Sequence, residues 1–351
     1  MFLNYIHYFR GIAIVFIISG HCIRFFNWEK NPIMEKAFKA FLLNGTVMFV
    51  FIAGFLFQHL YYRYTYKQYL VNKIKNIIIP YIFISALMIF YLVFIEKQGH
   101  WAYPNLHKEP YYFQIVWFYL TGNHLAPLWF IPMITVFYLL YPIFVLIDRN
   151  VNAYYFILPV AITISILVHR PPSEANLIHV SLHFFSVYLL GMWFSHFKER
   201  IFPMVEKISY FLIATTVILL LIEIRFYEHT GVIYAQKMFF HNKELININF
   251  FQKLSLSFLG IYFLRKHEHF FNAFWGTNLL KDLATLSFGI YFIHYYFLDL
   301  LLRTRYIFHY ELAGNMIYLM VLIFSIGFVC VVSLKLSKLI LGNKSRYIIG
   351  C

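Results

Sequence analysis

Charge is scarce in this chain. Lys, Arg, Asp and Glu make up 13% of its 351 residues, against roughly 25% in ordinary soluble domains. Hydrophobic residues reach 61% and aromatics 22%. A soluble fold of this size has nowhere to hide so much apolar surface, so the shortage of charge excludes one. Cysteine is also rare. Cys22, Cys330 and Cys351 form no CxxC pair and no Cys/His cluster. That spacing excludes a disulfide framework and offers no metal site. Cys351 is the last residue and makes no prenylation box. Acids are fewer than bases, 15 against 29, for a formal net charge of +14. The cations fall between apolar runs. Membrane topology and anionic headgroups account for them, so membrane lipid is an expected partner and nucleic acid is not. No tandem repeat, low-complexity segment or soluble domain interrupts the pattern, and residues 1–351 read as one membrane domain.

What is present is apolar length. Mean hydropathy is +0.67. In lipid the backbone must satisfy its own hydrogen bonds, by helices or by a closed barrel. Barrel strands alternate apolar and polar residues over about 10 positions. Here the runs are continuous, as in "IIIPYIFISALMIFYLVFI" at 77–95. The fold class is therefore all-α, a polytopic membrane helix bundle. A span needs about 20 mostly apolar residues. That rule predicts ten transmembrane helices, at about 6–26, 42–61, 77–95, 127–147, 153–169, 178–197, 208–224, 249–264, 283–302 and 315–340. Several carry Pro, Gly or His, which predicts tilted helices packed around a polar interior. The longest loops are expected at about 96–126 and 225–248, the first with a short interfacial helix, "YYFQIVWFYL".

Ten spans place both termini on one side. Two segments on that side carry no acid, 62–76 with Arg63, Lys67, Lys73 and Lys75, and the C-terminal end with Lys335, Lys338, Lys344 and Arg346. The opposite loops offset their cations with Glu29, Glu35, Glu96, Glu109, Glu174, Glu228 and Glu244. Counting Lys and Arg then places the termini in the cytoplasm.

Near the start stands "FRGIAIVFIISGHC", residues 9–22. It does not fit a cleaved leader, because His21 precedes Cys22 where a small residue is needed. Arg10 and His21 are eleven residues apart. Eleven residues are about three helical turns, so both lie on one face, separated by roughly 16 Å along the axis. A charge inside a span usually faces a cavity or a partner. A snorkelling arginine with a hydrogen-bonded histidine fits the spacing as well.

The stretch also resembles the first membrane helix of the acyltransferase-3 family, marked by arginine, ten residues and histidine. "MFVFIAGFLF" (48–57) is similar to that family's second helix, and "KIKNIIIPY" (73–81) to its basic stretch before a proline. "LWFIPMITVFYLLYPI" (128–143) and "LSFGIYFIHYYF" (286–297) resemble two later segments. The matches follow in order across most of the chain.

The resemblance implies a ten-helix protein of the bacterial inner (plasma) membrane, in a stand-alone form without a fused extracytoplasmic domain. It implies O-acyl transfer, usually O-acetylation, from cytoplasmic acetyl-CoA to a cell-surface glycan or lipid-linked sugar. Acetyl-CoA would be a cosubstrate, with no cofactor bound permanently. One departure concerns the basic stretch, where Lys73, Lys75 and Asn76 stand in place of paired arginines. Lysine lacks the bidentate fork of arginine, which weakens a shaped phosphate contact.

Acyl transfer to a hydroxyl needs a base and a way to stabilise the oxyanion. His21 is the candidate base, because imidazole titrates near neutrality. Arg10 would hold an anionic part of acyl-CoA or orient the thioester. Lys73 and Lys75, with Arg63 and Lys67, would attract the 3′,5′-ADP of CoA, or simply mark topology. Trp129 and Pro132 fit a substrate cavity or helix packing. Ser287, Tyr291 and His294 share a helix face, either as a polar stripe on a cavity or around a structural histidine. Asp299 would orient a histidine or an arginine. Cys22 diverges from His21 by about 100° and reads as a bystander. His59, His183 and His196 read as packing residues. A transporter or flippase of a lipid-linked polysaccharide precursor, and transfer of succinyl or another acyl group, are the competing functions.

Overall fold

The structure is a computed structural model, and it describes residues 3–171, 175–232, 234, 246–273 and 277–351. Glu174 and Glu244 lie outside the described residues. Helices dominate and no strand forms among the described residues. In chain order they are α1 (Asn4–Cys22), α2 (Pro32–Leu42), α3 (Thr46–Leu60), α4 (Tyr66–Lys73), α5 (Ile79–Phe90) and α6 (Tyr111–Thr121). Then come α7 (Phe130–Leu139), α8 (Tyr141–Arg149), α9 (Asn152–Leu167), α10 (Leu177–His196), α11 (Lys198–Lys207) and α12 (Ser209–Phe226). The last six are α13 (Ile248–Lys266), α14 (Glu268–Ala273), α15 (Thr277–Thr285), α16 (Ser287–Ile307), α17 (Met316–Leu341) and α18 (Ser345–Ile348).

The chain marks many of these boundaries itself. Asn176, Asn247 and Asn315 each accept a backbone N–H through Oδ1, from His179, Phe250 and Tyr318, and so start α10, α13 and α17. Thr65 and Gln68 form a capping box at α4. Gly122, with φ of 72°, ends α6, the helix expected at 111–120.

Each of the ten expected segments is helical. Six helices have the length and apolarity of a membrane span, or eight when each of two bent pairs counts as one. The bent pairs are Phe130–Leu139 with Tyr141–Arg149, at 56°, and Asn278–Thr285 with Ser287–Ile307, at 82°. Pro142 at the start of α8 cannot donate to the preceding turn, which accounts for the first bend. Of the other two segments, α9 is only 16 residues long. The second, α13, buries Asn249, Gln252 and Lys253, which lowers its apolarity.

The spans Asn4–Phe25 and Leu177–His196 are 67% and 72% buried, whereas Ser209–Phe226 is 11% buried. Thus α1 and α10 are central and α12 is peripheral, with an apolar surface suited to lipid. The central pair of α3 and α10 meets backbone to backbone. A Cβ on Gly54 would stand 2.0 Å from the Tyr188 carbonyl oxygen, and one on Gly191 2.1 Å from that of Phe51. Only glycine permits that approach.

Helix α3 runs back along α1, since Tyr5 meets Phe55 edge-on while Gly45 packs against Phe16. The C-terminal Cys351 packs on Gly289, near the start of α16. The start of α16 is also where Arg10 reaches, on Ala284. Both ends of the chain therefore lie at the Arg10 end of the bundle.

Candidate active site

A cavity of about 1170 Å³ lies at the opposite end, around the C-terminus of α1. His21 lines it. So does Arg24, one turn further along in the 3₁₀ turn Ile23–Phe25. The expected face thus carries His21 into the cavity.

Helix α16 supplies the wall beside His21. Its Tyr291, Tyr295 and Asp299 line the cavity. The ring of His294 lies 5.4 Å from that of His21, and Tyr295 meets His21 edge-on at 5.2 Å. His294 is buried, and its Nδ1 lies 2.9 Å from the carbonyl oxygens of both Ile290 and Tyr291. Carbonyls only accept, so Nδ1 carries the proton. In the neutral ring the lone pair is then on Nε2, which has no hydrogen-bond partner among the described residues. The Tyr291 hydroxyl donates to the Pro127 carbonyl and pins α16 to the segment before α7. Ser287 is buried a helical turn before Tyr291, outside the cavity lining. Asp299 is committed to an arginine: it accepts from Arg303 Nε at 2.7 Å. Arg303 also meets Glu96 at 3.5 Å and donates to the Tyr91 hydroxyl.

The loop before α7 contributes Asn123, His124 and Trp129. His124 Nδ1 donates to the Phe118 carbonyl at 3.2 Å, while Nε2 has no partner among the described residues. Burial pushes this imidazole down to about 3, so it stays neutral. Trp129 stacks on Phe184 at 5.8 Å, and the guanidinium of Arg170 lies 4.2 Å from its ring centre. Asn44 joins α2 to α3 with φ of 63°, and neither of its side-chain polar atoms has a partner among the described residues. Asn44, Asn123 and His124 thus bring unpartnered polar atoms to one cavity. Buried groups of this kind are costly unless a hydrogen-bonding ligand meets them.

The cations expected beside acyl-CoA lie elsewhere. Arg10 is outside the cavity lining. Its Nε donates to the Ala284 carbonyl at 3.0 Å, and its Nη2 donates to the same oxygen. Ala284 is in the last turn of α15, where carbonyls lack helical partners. Arg10 therefore caps α15 just before the 82° bend into α16. Lys73 sits over the rings of Tyr69 and Tyr138, at 5.2 and 4.7 Å, and Lys75 is exposed. Both are at the Arg10 end. Pro132 and Cys22 do not line the cavity, and the three cysteines are free. His183 donates to the Val168 carbonyl and His196 pairs with Asp148 at 2.9 Å. His59 is also outside the lining.

The family model for acyltransferase-3, described as an acyltransferase domain, matches residues 3–334, nearly the whole chain. The chain belongs to the acyltransferase-3 family. It is a multi-pass, all-helical member, and the family assigns it acyl transfer between a donor and an acceptor. Comparison with curated proteins and with solved structures gives no match. Sequence reasoning about this acyltransferase missed Arg24, Arg170, His124 and Asn44. Arg24 was legible in principle, three residues after His21. The other three reach the site through loops, which carry no periodic signal.

Proposed function

We propose that this acyltransferase moves an acyl group, acetyl in the leading case, from acyl-CoA to a hydroxyl of a cell-surface glycan or lipid-linked sugar. The observation that carries the reading is His21 on the wall of the cavity, beside a second histidine whose Nδ1 is committed to backbone carbonyls. His21 takes the hydroxyl proton as the oxygen attacks the acyl carbonyl carbon. The carbon–sulfur bond then breaks, and His21 returns the proton to the CoA thiolate. The Nε2 lone pair of His294 makes it a positioning residue for the His21 ring. The aromatic wall and the unpartnered amides suit a sugar, which offers flat faces and many hydroxyls.

In this reading the protein sits in a bacterial plasma membrane with both termini cytoplasmic, and the cavity faces the acceptor side. Arg10 then acts through α15. Contact with acyl-CoA would require it to leave Ala284. Family membership favours acyl transfer over transport.

Mass spectrometry of the glycan tests the proposal. Wild-type cells should carry base-labile esters that vanish in His21→Ala, and the added mass distinguishes acetyl from succinyl. Unchanged ester content on deletion, with a lipid-linked precursor accumulating inside, would overturn it in favour of transport. Reporter fusions in the loop at 62–76 should report a cytoplasmic position. A signal from the outer side would reverse the donor and acceptor faces.

A further inference from the structure

The charges on the cavity wall are unevenly matched. Among the described residues five cations line it, Arg24, Lys36, Lys39, Arg170 and Arg303, against three acids, Glu35, Glu228 and Asp299. Two of the acids are already engaged: Glu35 pairs with Lys39 at 2.6 Å and Asp299 with Arg303 at 2.7 Å. Lys36 donates to the neutral Tyr227 carbonyl and forms no ion pair among the described residues. Arg24 is exposed to the cavity and forms no ion pair among the described residues. It stands one turn beyond His21, a rise of about 5 Å. Arg24 and Arg170 line the same cavity as His21.

Resting on the acyl-transfer reading, we propose that the acceptor is an anionic saccharide, whose phosphate or carboxylate is held by Arg24 while a nearby hydroxyl lies at His21. A guanidinium presents paired donors that match both groups. The spacing from Arg24 to His21 is about one sugar ring, so one anchored anion selects which hydroxyl meets the base. Asn44 and Asn123 carry the neutral hydroxyls, and Tyr295 supplies an aromatic surface. The site therefore discriminates by charge at one point and by shape elsewhere.

Binding to the whole protein in lipid nanodiscs tests this without depending on turnover. The probes are octyl glucoside, octyl glucuronide and farnesyl-diphosphoryl-N-acetylglucosamine. At least one anionic probe should bind about tenfold or more tightly than the neutral one. Arg24→Gln should bring that ratio close to one, and Arg24→Lys, which keeps the charge and controls for folding, should retain part of it. Equal binding of all three probes to the wild type would overturn the proposal, as would a preference that survives Arg24→Gln. A second arm uses 3′,5′-ADP. If it displaces the anionic probe and its own affinity also falls in Arg24→Gln, the anion belongs to the donor and the proposal fails. Ester formation on the same preparations is read separately. A wild-type preparation that forms no ester defeats the acyl-transfer reading, activity that persists in His21→Ala defeats only His21 as its base, and either leaves the binding result standing.

Discussion

The two ends of α1 are built differently, although Arg10 and His21 lie on one face. At the Arg10 end Arg10 and Lys73 are both engaged. The guanidinium holds Ala284, and a Cβ on Gly11 would stand 2.7 Å from the Leu280 carbonyl oxygen. Lys73 is wrapped by tyrosines. At the His21 end α1 opens on a cavity, and Asn44, Asn123, His124 and His294 hold unpartnered polar atoms there or beside it. Equal spacing on a helix thus says where two side chains point, not what each meets. One end is joinery between α1 and a broken span. The other has the marks of a reaction centre.

The largest effect expected is on the open end. His21→Ala should lower ester formation by about 10²–10⁴-fold, the usual contribution of a general base, with insertion unchanged by membrane extraction and size-exclusion profile. Arg10→Ala comes next. Loss of a charged hydrogen bond to a helix-end carbonyl should destabilise the fold by about 1.5–3 kcal/mol in thermal unfolding, and Arg10→Lys should recover part. His294→Ala should lower the rate by about tenfold, the worth of one well-placed hydrogen bond. His294→Gln, which keeps an acceptor, should recover some of it. Asp299→Asn should change activity by less than about threefold, because a partly exposed ion pair contributes little. An inverted order, with Arg10→Lys as damaging as His21→Ala, would erase the contrast between the two ends.

Most of the fold was legible in the sequence, because a membrane span is written as local apolar length. The bends were not. The 82° turn after α15 lies beside the carbonyl that Arg10 reaches from 274 residues away, and no periodicity records such a contact. The site was half legible. His21, Trp129, Tyr291 and Asp299 do line the cavity. Arg10, Lys73 and Lys75 do not, since the reading ordered cations by topology and could not see the aromatic rings and backbone carbonyl that hold Lys73 and Arg10. Arg170 and His124 join His21 only through tertiary folding of loops over one end of the bundle.

The division between the two ends is tested most directly by steady-state kinetics of Arg10→Ala with acyl-CoA varied. A residue that acts by holding α15 and α16 in place should lower kcat while KM for acyl-CoA stays within about twofold. A KM for acyl-CoA raised about tenfold at unchanged kcat would contradict this, and would place Arg10 on the donor.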